Sequence, residues 1–185
     1  MKIGIYGGAF NPPHISHQQI VNKLLKQHYL DKIIIVPVGD NYHKENLIGF
    51  NHRYNMLKLL FNNENILISA FENQDKFIST YQTLDCFKDK YPHDEIYFIC
   101  GIDNIPKIKK WKRYHYLLDN YKIIVIPRNN LPKSLNHPNL IYTNIKVKSI
   151  SSTQARNSLN KKYLDQKVVN YIKDNNLYKW KHENY

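Results

Sequence analysis

The chain has 185 residues, which is enough for one full-sized hydrophobic core, and one domain spanning residues 1–185 is the default expectation. Apolar residues make up 42% of the chain, which excludes an intrinsically disordered protein. The formal net charge of +12, from 27 Lys and Arg against 15 Asp and Glu, favours anionic partners such as nucleotides or nucleic acid.

Cysteine usage and hydropathy indicate the cellular compartment of the protein. Cys86 and Cys100 are too few for a disulfide framework and fit a reducing compartment. No apolar run approaches the roughly 18 residues of a membrane span, and the N-terminus lacks the charged-then-apolar pattern of a signal segment. We therefore expect a cytoplasmic protein that has no membrane partner.

Short apolar runs alternate with longer amphipathic stretches along most of the chain. The runs predict five buried strands and a weaker sixth, at residues 3–6, 32–37, 66–70, 96–100, 122–126 and 140–143. The amphipathic stretches predict helices at residues 15–28, 53–60, 80–91, 114–120, 152–160 and 166–176. This alternation is typical of a parallel sheet covered on both faces. We expect a doubly wound, Rossmann-like α/β fold with helices on both faces of the sheet.

Residues 2–17, KIGIYGGAFNPPHISH, indicate a first strand, a glycine turn and a loop that opens into a helix. If that helix starts at His14, His17 lies one turn later on the same face. The unpaired N–H groups of a helix N-terminus beside a glycine turn suit a phosphate. A surface histidine pair or half of a zinc site is the alternative. Zinc needs three or four ligands, and no compact ligand cluster appears, so we predict no metal site within the protein.

Ligands bind beyond the carboxyl ends of parallel strands, so the residues just after each strand are the candidates for a site. Together they supply glycines, histidines, hydroxyls, cationic side chains and one carboxylate, at residues 7–17, 38–44, 101–103, 127–128 and 149–156. No residue set indicates a covalent nucleophile. The chemistry that remains is the positioning and neutralising of phosphates, which can be most of the catalysis in nucleotidyl transfer.

Several candidates have a purely structural alternative. One hydroxyl among residues 151–153 should be the N-cap of the helix that follows, although a hydroxyl-rich helix N-terminus is also an anion site. Asp103 either accepts hydrogen bonds from a ribose diol or caps a helix. Trp111 either stacks on a flat ring or packs in the core. Arg156 either binds phosphate through its forked guanidinium or is solvated at the surface.

Two motifs resemble the signatures of the nucleotidyltransferase superfamily, usually written (T/H)xGH and ISSTxxR. They are GGAFNPPHISH near the N-terminus and SISSTQAR near the C-terminus, in that order and about 135 residues apart. Other segments are similar to nicotinate and nicotinamide mononucleotide adenylyltransferases: VPVGDNYHK, FNHRYNML, STYQTL, FICGIDNIPKIKKWKRYHYLL and VVNYIKDNNLY. The resemblance covers nearly the whole chain.

The resemblance implies a reaction and its substrates. The 5′-phosphate of a pyridine mononucleotide would attack the α-phosphorus of ATP, giving a dinucleotide and pyrophosphate, with Mg²⁺ carried by ATP. The catalytic residues that it implies are His14, His17 and Arg156. The ATP site that it implies comprises Gly8, Ala9, Phe10, His14, His17, Gly101, Asp103, Ser151, Ser152 and Arg156. The acceptor site that it implies comprises Lys44, Thr80, Trp111, Lys112 and Arg128.

Some residues near the expected phosphate site depart from the family pattern. Ser16 replaces the glycine between the two histidines, and Asn11 stands where bacterial members often have Asp. Residues 41–42 are Asn-Tyr in place of two prolines, within a loop at residues 38–50 that is long enough to act as a lid. Without those prolines we expect a looser lid.

Two further departures fall on the pyridine side, where the acid and amide acceptors differ. Residues 78–80 are Ile-Ser-Thr in place of Ser-Tyr-Thr, which removes a tyrosine from the pocket, and Lys112 stands where an aromatic is usual. An ammonium there, beside the N-terminus of a helix predicted at residues 111–120, would favour a carboxylate. Nicotinate mononucleotide is therefore the expected acceptor, and nicotinamide mononucleotide is the alternative.

Three other functions stay open on the sequence. One is a nucleotidyltransferase with a different phosphorylated acceptor. Another is a nucleic-acid-binding protein, suggested by the charge and the 15 tyrosines, but no RNP-like aromatic motif or concentrated Lys/Arg block supports it. We therefore expect small-molecule substrates and no nucleic-acid partner. The third is a non-catalytic nucleotide sensor that keeps the pocket. The sequence does not give the oligomeric state.

Overall fold

The computed structural model describes residues 1–128, 132, 134–158 and 162–178. Within them, six parallel strands form one sheet in the order β3-β2-β1-β4-β5-β6. The strands are β1 (Lys2–Gly8), β2 (Lys32–Pro37), β3 (Ile66–Ile68), β4 (Glu95–Gly101), β5 (Lys122–Ile126) and β6 (Leu140–Tyr142). The strand order reverses between β1 and β4, which places the switch point of the sheet at their carboxyl ends.

Helices connect the strands and close the chain. They are α1 (Ile15–Lys26), α2 (Phe50–Leu60), α3 (Thr80–Lys90), α4 (Tyr114–Asn120), α5 (Ser152–Ser158) and α6 (Gln166–Asp174). A 3₁₀ helix, Ile102–Lys110, follows β4 directly. The predicted doubly wound α/β fold is confirmed.

Successive side chains of each strand point to opposite faces, so the sheet carries two cores. One core contains Ile5 with Leu84 of α3 and Leu117 of α4. The other contains Leu24 of α1 and Leu57 of α2. Helices therefore cover both faces, as the uninterrupted apolar strands predicted.

A third, smaller core holds the end of the chain against α2. Met56 of α2 packs with Ala155 of α5 and with Val168 and Ile172 of α6. Isolated helices as short as α5 are marginal, so this packing is what holds the seven residues of α5 in place. It brings the second signature motif next to the carboxyl end of β1.

Several element boundaries differ from the prediction by one to three residues. Strand β3 ends at Ile68, two residues early. Helix α2 begins at Phe50, three residues early, because the Phe50 N–H finds an acceptor 2.7 Å away in Asp40 Oδ1, which the apolar pattern does not reveal. Residues 159–160 of the predicted helix 152–160 lie outside the described residues.

The helix predicted at residues 114–120 is confirmed as α4, but the start at residue 111, on which the expected acid preference relied, is wrong. Arg113 has a left-handed backbone, with φ 55° and ψ 42°, so α4 begins only at Tyr114. The residues before it belong to the 3₁₀ helix, which was not predicted because Gly101 and Pro106 are typical of a loop. Trp111 follows that 3₁₀ helix and starts no α-helix. The helix dipole that was expected to act beside Lys112 is therefore absent at residue 111, because no α-helix starts there.

Candidate active site

A cavity of about 720 Å³ lies at the carboxyl ends of β1, β4 and β5. All of the residues expected to bind ATP or the acceptor line it, from Gly8 on β1 to Arg156 on α5. Its position at the switch point of the sheet is where a doubly wound fold binds its ligands. The individual roles of these residues stay predictions.

His14 and His17 form a stacked pair at the start of α1. His14 is the N-cap, and its backbone N–H donates to Nδ1 of His17 at 3.0 Å. The two rings lie 3.7 Å apart between centroids, with 23° between their planes. Because Nδ1 of His17 accepts a hydrogen bond, the neutral ring carries its proton on Nε2. His17 is thereby prepared to donate a hydrogen bond from Nε2.

Aromatic side chains enclose the His17 ring. Phe10, in the left-handed backbone region at φ 46°, places its ring 4.9 Å from His17 between centroids. Tyr6 lies on another side at 6.0 Å. A bulky residue with positive φ is uncommon, and here it turns Phe10 inward beneath the loop that follows β1. The pocket wall beside His17 is therefore apolar and rigid.

Burial disfavours the charged form of both histidines. Burial and the Arg128 guanidinium lower the pKa of His14 to about 3. Burial, then His14 and Arg128, lower the pKa of His17 well below 6.5. Both rings are neutral at pH 7 until an anion arrives, and a bound phosphate would raise both pKa values.

We predict that the free protein loses stability as the pH falls from 7 to 5. Below about pH 6.5 these histidines bind protons in the unfolded state but stay neutral in the folded state. This difference lowers the free energy of unfolding by about 2 kcal/mol for each residue at pH 5. The measurement is urea unfolding of wild type and of the His14→Asn, His17→Asn double variant at both pH values. Parallel losses in the two proteins would contradict the prediction. Glu72, whose pKa burial raises to about 7, opposes the trend but is common to both.

The two signature motifs meet across the cavity. Arg156 Nη1 donates to the carbonyl oxygen of Asn11 at 2.5 Å, and Ser152 Oγ donates to that of Pro12 at 3.3 Å. Ser16 is buried and donates to the carbonyl oxygen of Lys148. The serine that departs from the family glycine thus ties α1 to the segment that leads into α5.

The hydroxyl groups at the start of α5 have different hydrogen-bond partners. Ser151 Oγ accepts from the Gln154 N–H at 3.1 Å, and the Gln154 side chain accepts from the Ser151 N–H at 2.8 Å. Ser151 is therefore the N-cap, which was the structural alternative for residues 151–153. Thr153 Oγ1 accepts from Arg156 Nη2 at 3.1 Å, which orients the guanidinium.

Asp103 lies directly beyond β4, two residues after Gly101. A Cβ on Gly101 would lie 2.5 Å from Asp103 Oδ1, so glycine makes room for the carboxylate. Gly101 is itself the N-cap of the 3₁₀ helix, so the interpretation of Asp103 as a cap is wrong. Arg128 Nη1 lies 3.9 Å from Asp103 Oδ1 and its Nη2 donates to the carbonyl oxygen of Ile150 at 3.0 Å. Contact of Asp103 with a ribose stays a prediction.

Thr80, Trp111 and Lys112 line another part of the cavity. Thr80 is the first residue of α3, whose N-cap is Ser79. Trp111 is half-buried, with its ring 5.7 Å from that of Phe98, so it both packs on the core and faces the cavity. Lys112 is exposed. Among the described helices near these three residues, α3 is the one that begins at the cavity. The helix dipole at this part of the cavity is therefore that of α3, and not that of a helix starting at residue 111.

The loop between β2 and α2 is tied to the first motif. Asn11 is fully buried, and its Nδ2 donates to the carbonyl oxygen of Asn46 at 2.8 Å. Its Oδ1 accepts from the Tyr178 hydroxyl at 2.8 Å. An aspartate could not donate to Asn46, so the departure to Asn adds a bond to this loop. Lys44 of the same loop lines the cavity, and burial and Arg156 lower its pKa. Closure of the loop over substrate stays a prediction.

Arg53 is a residue that sequence reasoning missed. Its side chain is 0% exposed and donates to the carbonyl oxygens of Ile48 at 2.8 Å, Ala9 at 3.2 Å and Val38 at 2.7 Å. It also forms an ion pair with Asp40 at 3.2 Å. Arg53 thus joins the loops after β1 and β2. The sequence signal that could have revealed its role is a single arginine within the apolar pattern of α2.

Two aromatic side chains at the cavity were also missed. Phe77 is 54% exposed and Tyr42 is 38% exposed, although both line the cavity. Their ring centroids lie 6.2 Å apart, and Asn41 Nδ2 donates to the carbonyl oxygen of Gln74 at 2.7 Å between the same two loops. An aromatic pair therefore remains near the position from which the family tyrosine is lost.

Among the described residues, no group of three or more His, Cys, Asp or Glu side chains could hold a metal ion. None of the helices in the described part of the chain is both long and apolar enough to span a membrane.

Comparison with known proteins assigns the family. The cytidylyltransferase-like family model matches residues 5–158. The probable nicotinate-nucleotide adenylyltransferase of Acholeplasma laidlawii is 38% identical over 182 residues, covering 94% of this chain and 96% of that protein. The chain belongs to the nicotinate-nucleotide adenylyltransferase family. The nicotinate-nucleotide adenylyltransferase of Bacillus subtilis is 32% identical, covering 96% of this chain and 98% of that protein.

Solved structures agree with the family assignment. The nicotinic acid mononucleotide adenylyltransferase of Plasmodium falciparum, complexed with NaAD, has a TM-score of 0.83 and 26% identity, covering 98% of this chain and 99% of that one. A putative nicotinate-nucleotide adenylyltransferase from Vibrio parahaemolyticus, at 22% identity and a TM-score of 0.69, shares the fold. The predicted membership of the nicotinate-nucleotide adenylyltransferase family is confirmed.

Proposed function

We propose that the protein joins ATP and nicotinate mononucleotide to give nicotinate adenine dinucleotide and pyrophosphate, a step of NAD biosynthesis. The observation that carries this proposal is the meeting of the two signature motifs across one cavity at the switch point, where Arg156 bonds to Asn11. Relatives that are 32–38% identical over nearly the whole chain carry the name of this activity.

The proposed reaction needs charge stabilisation and alignment, with no covalent intermediate on the protein. An oxygen of the acceptor phosphate bonds to the α-phosphorus of ATP, while the bond from that phosphorus to the oxygen bridging to the β-phosphorus breaks. Pyrophosphate leaves with the bonding electron pair. His17, through its Nε2–H, and Arg156, through its forked guanidinium, would stabilise the charge that develops on these oxygens.

In this proposal the divalent ion enters with the nucleotide. The described residues offer no cluster of metal-ligating side chains, so phosphate oxygens and water would be its main ligands. When bound, Mg²⁺ would neutralise part of the phosphate charge. Lys44 and Arg128, which also line the cavity, would neutralise more of it.

Two features support the acid as acceptor. Lys112 supplies a positive charge, and the 11-residue helix α3 begins at Thr80, where its unpaired N–H groups favour an anion. Both Lys112 and Thr80 line the cavity, and the residues next to them are in contact, since the Arg113 guanidinium lies 5.1 Å from the ring centroid of Tyr81. A carboxylate on the pyridine ring would be favoured there by roughly 0.3–1 kcal/mol from the helix dipole if exposed.

We predict a higher kcat/KM for nicotinate mononucleotide than for nicotinamide mononucleotide. Replacing Lys112 with alanine should lower the acid-to-amide ratio about two- to fivefold, since an exposed charge contributes up to about 1 kcal/mol. Lys109→Ala, which removes the same charge outside the cavity, should leave the ratio unchanged. A wild-type ratio that favours the amide would contradict the acid preference, and use of CTP in place of ATP would point to another nucleotidyltransferase.

The proposal places the reaction in the cytoplasm. The reason is cysteine usage alone, because two cysteines are too few for a disulfide framework and fit a reducing compartment. Location of a tagged protein by fractionation would test it, and enrichment outside the cytoplasmic fraction would contradict it.

A further inference from the structure

Arg113 occupies a backbone conformation that does not suit its residue type. It lies in the left-handed region, with φ 55° and ψ 42°, and it is the N-cap of α4. Glycine and asparagine are favoured in that region, while Ser, Thr, Asp and Asn in extended backbone are favoured at N-caps. A bulky cationic residue persists at such a position only when its surroundings hold it there.

Two tyrosine rings hold the Arg113 side chain. Its guanidinium carbon lies 4.7 Å from the ring centroid of Tyr116 and 5.1 Å from that of Tyr81. The two rings are themselves in edge-to-face contact, with centroids 6.3 Å apart. A guanidinium in contact with two aromatic rings is attracted by both. Because Tyr81 belongs to α3 and Tyr116 to α4, Arg113 joins the beginnings of these two helices.

Tyr116 is in turn fixed by Asp85 of α3. Asp85 Oδ1 accepts a hydrogen bond from the Tyr116 hydroxyl at 2.9 Å and another from the Tyr121 hydroxyl at 2.5 Å. Charge-assisted hydrogen bonds of this kind are about twice as strong as neutral ones. The ring of Tyr116 therefore cannot turn away from Arg113 without breaking its bond to Asp85.

The residues next to this cluster line the cavity, although Arg113 does not. Thr80 precedes Tyr81, and Trp111 and Lys112 precede Arg113; all three are in the cavity wall. The contact between Arg113 and Tyr81 therefore connects the start of α3 to the segment that contains residues 111–112. The histidines lie at the start of α1 and Gly101 ends β4, so none of them takes part in this contact.

We propose that Arg113 is a positioning residue, whose contact with Tyr81 and Tyr116 sets the acceptor end of the cavity and so controls recognition of the carboxylated pyridine ring. The inference rests on the proposed function. Without the guanidinium, residues 111–112 would lose their fixed distance from Thr80. Affinity for the acceptor would fall, while the ATP end would be unaffected.

The test is steady-state kinetics of Arg113→Asn, because asparagine tolerates the left-handed backbone and lacks the cation. We expect the KM for nicotinate mononucleotide to rise about tenfold and the acid-to-amide ratio to fall, with kcat and the KM for ATP within twofold of wild type. Arg113→Lys, which keeps a cation, should recover most of the affinity. Tyr81→Leu should behave like Arg113→Asn, and Tyr81→Phe like wild type. Lys109→Asn removes an exposed charge outside the cavity and serves as the matched control.

Two results would overturn the inference. One is an unchanged KM for nicotinate mononucleotide in both Arg113→Asn and Tyr81→Leu. The other is an equal rise in the KM values of both substrates, which would indicate a general structural role. A wild-type protein that forms no dinucleotide would instead contradict the proposed function, and the inference with it. An active wild type, with an unchanged KM for nicotinate mononucleotide in both Arg113→Asn and Tyr81→Leu, would contradict the inference alone.

Discussion

Replacing His17 with alanine is expected to lower kcat by about 10²–10³-fold, the usual loss when one preorganised stabiliser of transition-state charge is removed. The His17 ring is held by the hydrogen bond from the His14 N–H and by contact with Phe10. It therefore meets the substrate without reorganising. The measurement is the initial rate of pyrophosphate release at saturating ATP and nicotinate mononucleotide.

Two variants separate charge stabilisation from helix capping. His17→Asn retains an acceptor for the His14 N–H, so it should fold like wild type and still lose most of the rate. His93→Ala removes an exposed histidine outside the cavity and should retain full activity. Activity of His17→Ala within a few-fold of wild type would remove His17 from the mechanism.

Replacing Arg156 with alanine is expected to raise the KM for ATP about 10- to 100-fold, with a smaller effect on kcat. A hydrogen bond to a charged group contributes about 1.5–3 kcal/mol, and the fork of an arginine can make two of them to a phosphate. The Arg156 guanidinium already bridges the two motifs through Asn11 and Thr153, so it is oriented before ATP arrives. The measurement is the dependence of the initial rate on ATP concentration at saturating acceptor.

Arg156→Lys and Lys167→Ala provide the comparison. Lysine keeps the charge and loses the fork, so the KM for ATP should be intermediate. Lys167 lies exposed on α6, outside the cavity, and its removal should have no effect. If Arg156→Ala raised the KM for nicotinate mononucleotide more than that for ATP, the residue would belong to the acceptor site.

The sheet could be predicted because its strands are buried on both faces. An uninterrupted apolar run follows the single lysine at the start of residues 32–37, and β2 has those boundaries. The site positions followed from the same rule, since what comes after a parallel strand lies at the carboxyl edge of the sheet. The separation of the two motifs in sequence did not matter, because the fold returns α5 to β1 through the packing of Ala155 and Met56.

What could not be predicted depends on tertiary contacts. Arg53 is buried because carbonyl oxygens of two distant loops surround its guanidinium, and no local pattern reports that. The left-handed backbone of Arg113, which prevents a helix from starting at residue 111, accompanies contacts of its guanidinium with rings on α3 and α4 that no local pattern reports. The pairing of Tyr42 with Phe77 likewise joins loops more than 30 positions apart. Of these residues, Tyr42 and Phe77 line the cavity itself.

The most direct measurement is the product of the wild-type protein incubated with ATP, Mg²⁺ and nicotinate mononucleotide, analysed by chromatography and by pyrophosphate release. The proposed function predicts nicotinate adenine dinucleotide and pyrophosphate in equal amounts, and neither product without the acceptor. ATP binding without dinucleotide formation from either the acid or the amide acceptor would contradict it.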